Sequence, residues 1–286
     1  MPRNEHDDSG LRIGLSVKEI GLKLIINQQQ VFCSTAGQAI DPDRESVVFV
    51  HGAGQDHSIW VLAGRYFARH NRNVLSVDLP GHGRSQGNPL QSITEMVDWL
   101  RSVIKAAGIS QASIVGHSMG SLVALAMASR FPNEVKSVAM VATAVPMKVS
   151  DSLLAMAKAN DDEAVRILAL WGHSAKAHLG GSPTPGLWML NSSLELMRRA
   201  EPNVLFTDLA ACRNYSTGLS DARRVDCPVL LVLGERDVMT PVRATEELCE
   251  LLSQPYRTVI PAAGHSLLNE CPDQVLDALI PIVEGG

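Results

Sequence analysis

Ser118 stands between two glycines in "GHSMG", residues 116 to 120, after an apolar run and before a helical one. The pattern is G-x-S-x-G. A nucleophile at the top of a sharp strand-to-helix turn takes a strained backbone, so the positions two before and two after must be small. Gly116 and Gly120 fill those positions, and Ser121 is small as well. A plain N-cap serine would leave both glycines without a reason. A helix starting at Met119 also aims its first amides at the serine, where an anionic intermediate would form. The chemistry such an arrangement can do is acyl transfer by a hydroxyl.

That hydroxyl needs a base, and the base needs an acid to orient it. For a nucleophile on this kind of turn, both partners come from loops after later strands. "VIPAAGHS" closes the last expected strand and offers His265, with small residues before it that let the imidazole swing inward. "LLVLGERD" closes the preceding one and offers Asp237, with Glu235 and Asp226 as rivals for the role. Donors for an oxyanion are expected from "VFVHGAG": the Ala53 amide, paired with that of Met119. His51 is expected to hydrogen-bond beneath this turn, with Asp56 and His57 bracing it. Trp60 reads either as a pocket wall or as core.

Such residues need a frame that gathers strand ends. Residues 19 to 27 and 29 to 37 read as an antiparallel pair. Beyond them, apolar runs such as "SVVFV", "NVLSV", "ASIVG", "VKSVAMV" and "PVLLVLG" alternate with helical spacing, as in "SITEMVDWLRSVIKAAG". In that helix Ser92 is the expected N-cap, Glu95 its capping-box partner and Gly108 its end. This alternation predicts an α/β fold with a largely parallel sheet and helices on both faces. Residues 146 to 222 break the pattern and read as an all-helical insertion, so core segments are expected at 1–145 and 223–286, with residues 1–15 a polar tail.

Of 286 residues, 45% are apolar and 19% charged, enough for one large core with an insertion. A net charge of −5, with the basic residues scattered, argues against nucleic acid or an anionic membrane as a partner. No run of about 18 apolar residues suggests a membrane span. Five cysteines without a C-x-x-C pair argue against a disulfide framework or a structural zinc, and read as small buried hydrophobes in a reducing compartment. The expectation is a cytoplasmic protein.

"HGAG", "DLPGHGRS", "GHSMGS", "GERDVMTP" and "AAGHS", in that order, resemble the α/β-hydrolase superfamily. The resemblance implies an eight-stranded, mostly parallel sheet with residues 146 to 222 as a cap over the site. It gives "DLPGHGRS" a structural role. Serine at the elbow, where dehalogenase-like and epoxide-hydrolase-like members carry aspartate, implies acyl transfer on a carboxylic ester without a cofactor or metal. C–C bond hydrolysis of a β-diketone or dienoate is an alternative, set back because many such enzymes carry Asn where this chain has His117. Thioester or lactone hydrolysis and a non-enzymatic ligand receptor are further alternatives. Without three consecutive glycines, "HGAG" disfavours bulky tertiary-alcohol esters.

The insertion supplies the only substrate clue. Trp171, Trp188 and Met189, with Trp60, are candidate walls of an apolar pocket for a small or medium ester. The same apolar stripe serves equally to pack the insertion onto the core. His173 and His178 lack a third ligand in view and are not expected to bind a metal.

Overall fold

Side chains alternate across a strand, so a sheet buried on both faces must be apolar along its whole length. The computed structural model describes residues 21–183 and 186–285, and its central strands follow that rule. The chain runs β1 (Gly21–Ile26), β2 (Gln29–Ser34), β3 (Ser46–Val50), a 3-10 turn (His57–Trp60), α1 (Val61–Arg69), β4 (Asn73–Val77), α2 (Ile93–Ala106), β5 (Ala112–His117), α3 (Met119–Arg130) and β6 (Val135–Val141). Then come the helices α4 (Asp151–Lys158), α5 (Asp162–Gly172), α6 (Ala175–His178), α7 (Met189–Arg198), α8 (Val204–Asn214) and α9 (Gly218–Ala222). The chain closes with β7 (Val229–Gly234), α10 (Glu246–Leu251), β8 (Tyr256–Ile260), α11 (Leu267–Glu270) and α12 (Pro272–Glu284). The expected tail, residues 1–15, lies outside the described residues.

One eight-stranded sheet has the order β1-β2-β4-β3-β5-β6-β7-β8. β2 is antiparallel to both β1 and β4, and every other pairing is parallel. Alternate residues sort onto two cores. Val48, Val50, Ile114, Val138, Met140, Leu231 and Leu233 pack with α2 and α3. Their neighbours Val47, Phe49, Val115, Ala139, Val141, Leu230 and Val232 pack with α1 and α12. α3 is buried over nearly its full circumference, as an apolar helix between sheet and further helices must be.

Ser92 caps α2 as expected, its Oγ accepting the Glu95 N–H at 3.2 Å. The Glu95 carboxylate reaches back to the Gln91 N–H, one residue earlier than a capping box requires. Among the described residues, 146 to 222 contain helices and no strand. α6 and α9 were not legible because four and five residues are too few to show a period. The inserted helices form their own small core around Leu153, Leu154, Leu168 and Leu209, which touches Ala53 and Met239.

Two expectations need correction here. Trp60 is fully buried in the core on the α1 and α12 side, its ring 4.9 Å from that of Phe49, and does not line the cavity beside Ser118. The 3-10 turn carries its indole beneath the sheet. Cys33 and Cys212 are buried, but Cys227, Cys249 and Cys271 are partly exposed. No helix among the described residues is long and apolar enough to cross a membrane.

Phe49 meets both Trp60 and Phe67 in this core. Phe49→Ala should lower the unfolding free energy by about 3–5 kcal/mol, read as a shifted urea midpoint at unchanged slope.

Candidate active site

The last residue of β5 leads directly into Ser118, whose φ of +50° and ψ of −116° are strained for a residue with a Cβ. Neighbouring structure holds it there. The Ser118 N–H donates to Val141 O at 2.9 Å, on the adjoining strand. A Cβ on Gly116 would lie 2.0 Å from Gly120 O, and one on Gly120 would lie 2.3 Å from Val50 O. Only glycine lets β5, β3 and the start of α3 approach this closely. The sequence pattern therefore has a direct steric cause.

His265 follows β8 and Asp237 follows β7, so both arrive at the same end of the sheet as Ser118. His265 Nε2 lies 3.0 Å from Ser118 Oγ, and His265 Nδ1 lies 2.8 Å from Asp237 Oδ2. With Nδ1–H donating to Asp237, Nε2 is left as the acceptor for the serine hydroxyl. All three residues are nearly buried, at 9%, 6% and 4% exposure in the order Ser118, His265, Asp237. Glu235, the nearer rival, is exposed and accepts the Ala262 N–H instead. Asp226 is also exposed.

Burial works against ionisation of Asp237, yet the facing His265 imidazole and Thr240 hold its carboxyl well below the usual range. The Thr240 hydroxyl donates to Asp237 Oδ2 at 2.6 Å, and the Met239 and Thr240 amides donate to Oδ1, each at 2.8 Å. Thr240 Oγ1 also lies 3.1 Å from His265 Nδ1. Sequence reading missed Thr240. Its signal was the D-x-x-T spacing, in which an Asp side chain folds back on amides two and three residues later.

His117 was read only as a departure from a family pattern. It bridges the two halves of the site, with Nδ1 3.1 Å from Gln55 Oε1 and Nε2 3.1 Å from His265 O. Burial, and then the nearby His265, push its pKa down to about 3, so the ring is neutral. Gln55 Oε1 in turn accepts the Gly52 N–H at 3.0 Å. His51 fills its expected place beneath the turn. Its Nδ1–H donates to Gly52 O at 2.8 Å, and its Nε2 accepts the Leu79 N–H at 3.2 Å. Asp56 and His57 also brace as expected, the first capping Ser58 N–H and the second holding Asp78.

The Ala53 amide has no partner among the described residues, and Met119 supplies the first amide of α3, which has no carbonyl within its own helix. Both belong to segments flanking Ser118. A cavity of about 810 Å³ opens over the serine, lined by Gly52, Ala53, His117, Ser118 and His265 below. Its other walls include Met147, Leu153, Leu168, Trp171, Met197 and Leu209 of the insertion, and Met239. Trp171 is therefore at the cavity. Trp188 and Met189 are not: Trp188 is 62% exposed at the start of α7, and Met189 is buried without reaching the cavity. On α7 it is Ser193 and Met197, one and two turns further on, that face it.

Asp56, His57 and Asp78 lie close enough together to share a cation. Their atoms are already committed, since Asp78 Oδ1 accepts from the His57 backbone and ring and Asp78 Oδ2 accepts the Arg84 N–H. They act as struts.

A family model described as the alpha/beta hydrolase family matches residues 47–278. The pimeloyl-[acyl-carrier protein] methyl ester esterase of Chromobacterium violaceum is 31% identical over 82% of this chain and 91% of its own length. The (E)-2-((N-methylformamido)methylene)succinate hydrolase of Acinetobacter baylyi is 25% identical over 82% of this chain and 89% of its own. Among solved structures, an esterase from Exiguobacterium antarcticum superposes with a TM-score of 0.80 at 16% identity, covering 92% of this chain and 99% of that one.

The depressed Asp237 carboxyl makes a signed prediction. Its folded pKa lies below the unfolded value of about 3.9, so its stabilisation is complete above that value and is lost as pH falls toward the folded pKa. The difference in unfolding free energy between wild type and Asp237→Asn should hold level from pH 7 to 5, then shrink on further acidification. Chemical denaturation across that range checks it.

Proposed function

Because the chain belongs to the alpha/beta hydrolase family, we propose that it cleaves a small to medium carboxylic ester through an acyl-enzyme formed on Ser118. One observation carries the reading: His265 Nε2 set 3.0 Å from a serine Oγ held on a strained turn. In this reading Ser118 Oγ attacks the ester carbonyl carbon while its proton passes to His265 Nε2. Asp237 keeps the imidazole in the required tautomer and stabilises the imidazolium. The carbonyl electron pair moves onto oxygen, where the Ala53 and Met119 amides receive the oxyanion. Collapse expels the alkoxide, which takes the proton back from His265. Water then adds to the acyl-enzyme by the same route, releasing the acid and restoring the serine. Ester, water and these side chains account for every proton and electron pair.

The substrate class follows from the cavity. Its volume of about 810 Å³ suits a drug-sized ligand, and about half of its lining residues carry aliphatic or thioether side chains that offer an acyl chain contact without hydrogen bonds. Residues 146 to 222 act as a cap, and their helices supply much of that wall. The methyl ester specificity named for the Chromobacterium violaceum relative supports an ester over other acyl bonds.

A p-nitrophenyl ester series from acetate to laurate tests this. Turnover should peak at one chain length, and Ser118→Ala should lose roughly 10⁴-fold or more while remaining folded. A folded Ser118→Ala protein with undiminished turnover would sink the proposal. Leu153 walls the cavity, so Leu153→Trp should move the peak toward shorter acyl chains. An unmoved peak would place the acyl group elsewhere.

A further inference from the structure

Asp208 is a lone carboxylate in the apolar stretch "VLFTDLAAC" of α8, and it is fully buried. Such a charge persists only where it is paired and hydrogen-bonded. Its Oδ2 accepts the Gly54 N–H at 2.8 Å, 154 residues away in the chain, and lies 2.8 Å from His82 Nε2. His82 Nδ1 faces Pro80 O at 3.1 Å, so both ring nitrogens meet acceptors. Burial disfavours a charged His82, but Asp208 outweighs it and raises the pKa. The His51 ring stands 4.7 Å from that of His82, and Asp78 is the other nearby acid. The second oxygen, Asp208 Oδ1, is buried without a partner.

Gly54 follows Ala53 directly, and its φ of +65° keeps the turn in a shape that glycine favours. Asp208 therefore restrains the peptide next to the expected oxyanion donor from the inserted helices. Leu209, the next residue on α8, lines the substrate cavity. The geometry points to Asp208 as a positioning residue that fixes the Ala53 amide for the oxyanion, so that seating of the inserted helices and completion of the oxyanion site are one event. This rests on the acyl-transfer reading above. Without Asp208 the Gly52–Gly54 turn keeps its ties to His51 and Gln55 but loses its anchor to the insertion.

The test compares wild type with Asp208→Leu and Asp208→Asn, using p-nitrophenyl butyrate turnover per titrated active site and inhibition by an aryl trifluoromethyl ketone. The ketone forms a tetrahedral adduct whose oxygen needs the same amides. Asp208→Leu should lower kcat roughly 10²-fold with KM within about threefold, and weaken ketone inhibition by a similar factor. Asp208→Asn, whose remaining oxygen can still accept the Gly54 N–H, should recover most of that loss. If Asp208→Leu yields no folded protein, Asp208→Ser, too short to reach Gly54, takes its place with the same expectation. A variant with lowered thermal stability but wild-type kcat per active site and unchanged ketone inhibition overturns the proposal, as does a rise in KM alone. Wild-type turnover that does not depend on Ser118 would instead sink the acyl-transfer reading, and the positioning role with it.

Discussion

The left-handed backbone at Ser118 is the constraint around which the rest of the molecule is arranged. A side-chain-bearing residue at φ +50° persists only if its surroundings leave no relaxed alternative. Here β5 is clamped between β3 and β6, the Ser118 amide is bound to Val141 O, and α3 is buried almost all round. The two glycines allow that clamp to close, because any Cβ at either position would collide with backbone. The strain lifts the hydroxyl out of the sheet at the end where β3, β7 and β8 also deliver their loops.

Delivery alone does not fix geometry, and a second layer of polar contacts does so. The neutral His117 ring stands between the His265 carbonyl and Gln55 Oε1 and can donate its one N–H to either, while Gln55 accepts the Gly52 N–H, so the His265 loop and the glycine turn pack against one shared polar cluster. Thr240 locks the Asp237 carboxylate by donating its hydroxyl to Oδ2 and its amide to Oδ1. These groups are buried, where a hydrogen bond is electrostatically strong and an unmade one is costly. The arrangement is thus held from several directions, with ionised Asp237 facing His265 and the neutral His117 ring 5.1 Å from that of His265.

The fold was readable because its physical signals are periodic. Continuous apolar strands, a capped α2 and a helical stretch without strands at residues 146 to 222 together imply a mostly parallel sheet with a helical insertion. That Ser118, His265 and Asp237 meet in space was readable because each stands at the end of a strand in the one sheet. Trp60, Trp188 and Met189 were misplaced because an apolar residue next to a site has the same sequence signature whether it faces a cavity, the core or solvent. Thr240 carries a short-range signal. Asp208 and His82 are joined across 126 residues, and no local pattern announces such a pair beyond the oddity of a carboxylate in an apolar helix.

The most direct measurement is peptide mapping by mass spectrometry after treatment with a fluorophosphonate, which reacts with a hydroxyl only where a base and oxyanion donors activate it. The account predicts one equivalent of adduct, confined to the peptide carrying Ser118. Folded protein that stays unmodified, or carries its adduct on another residue, would contradict it.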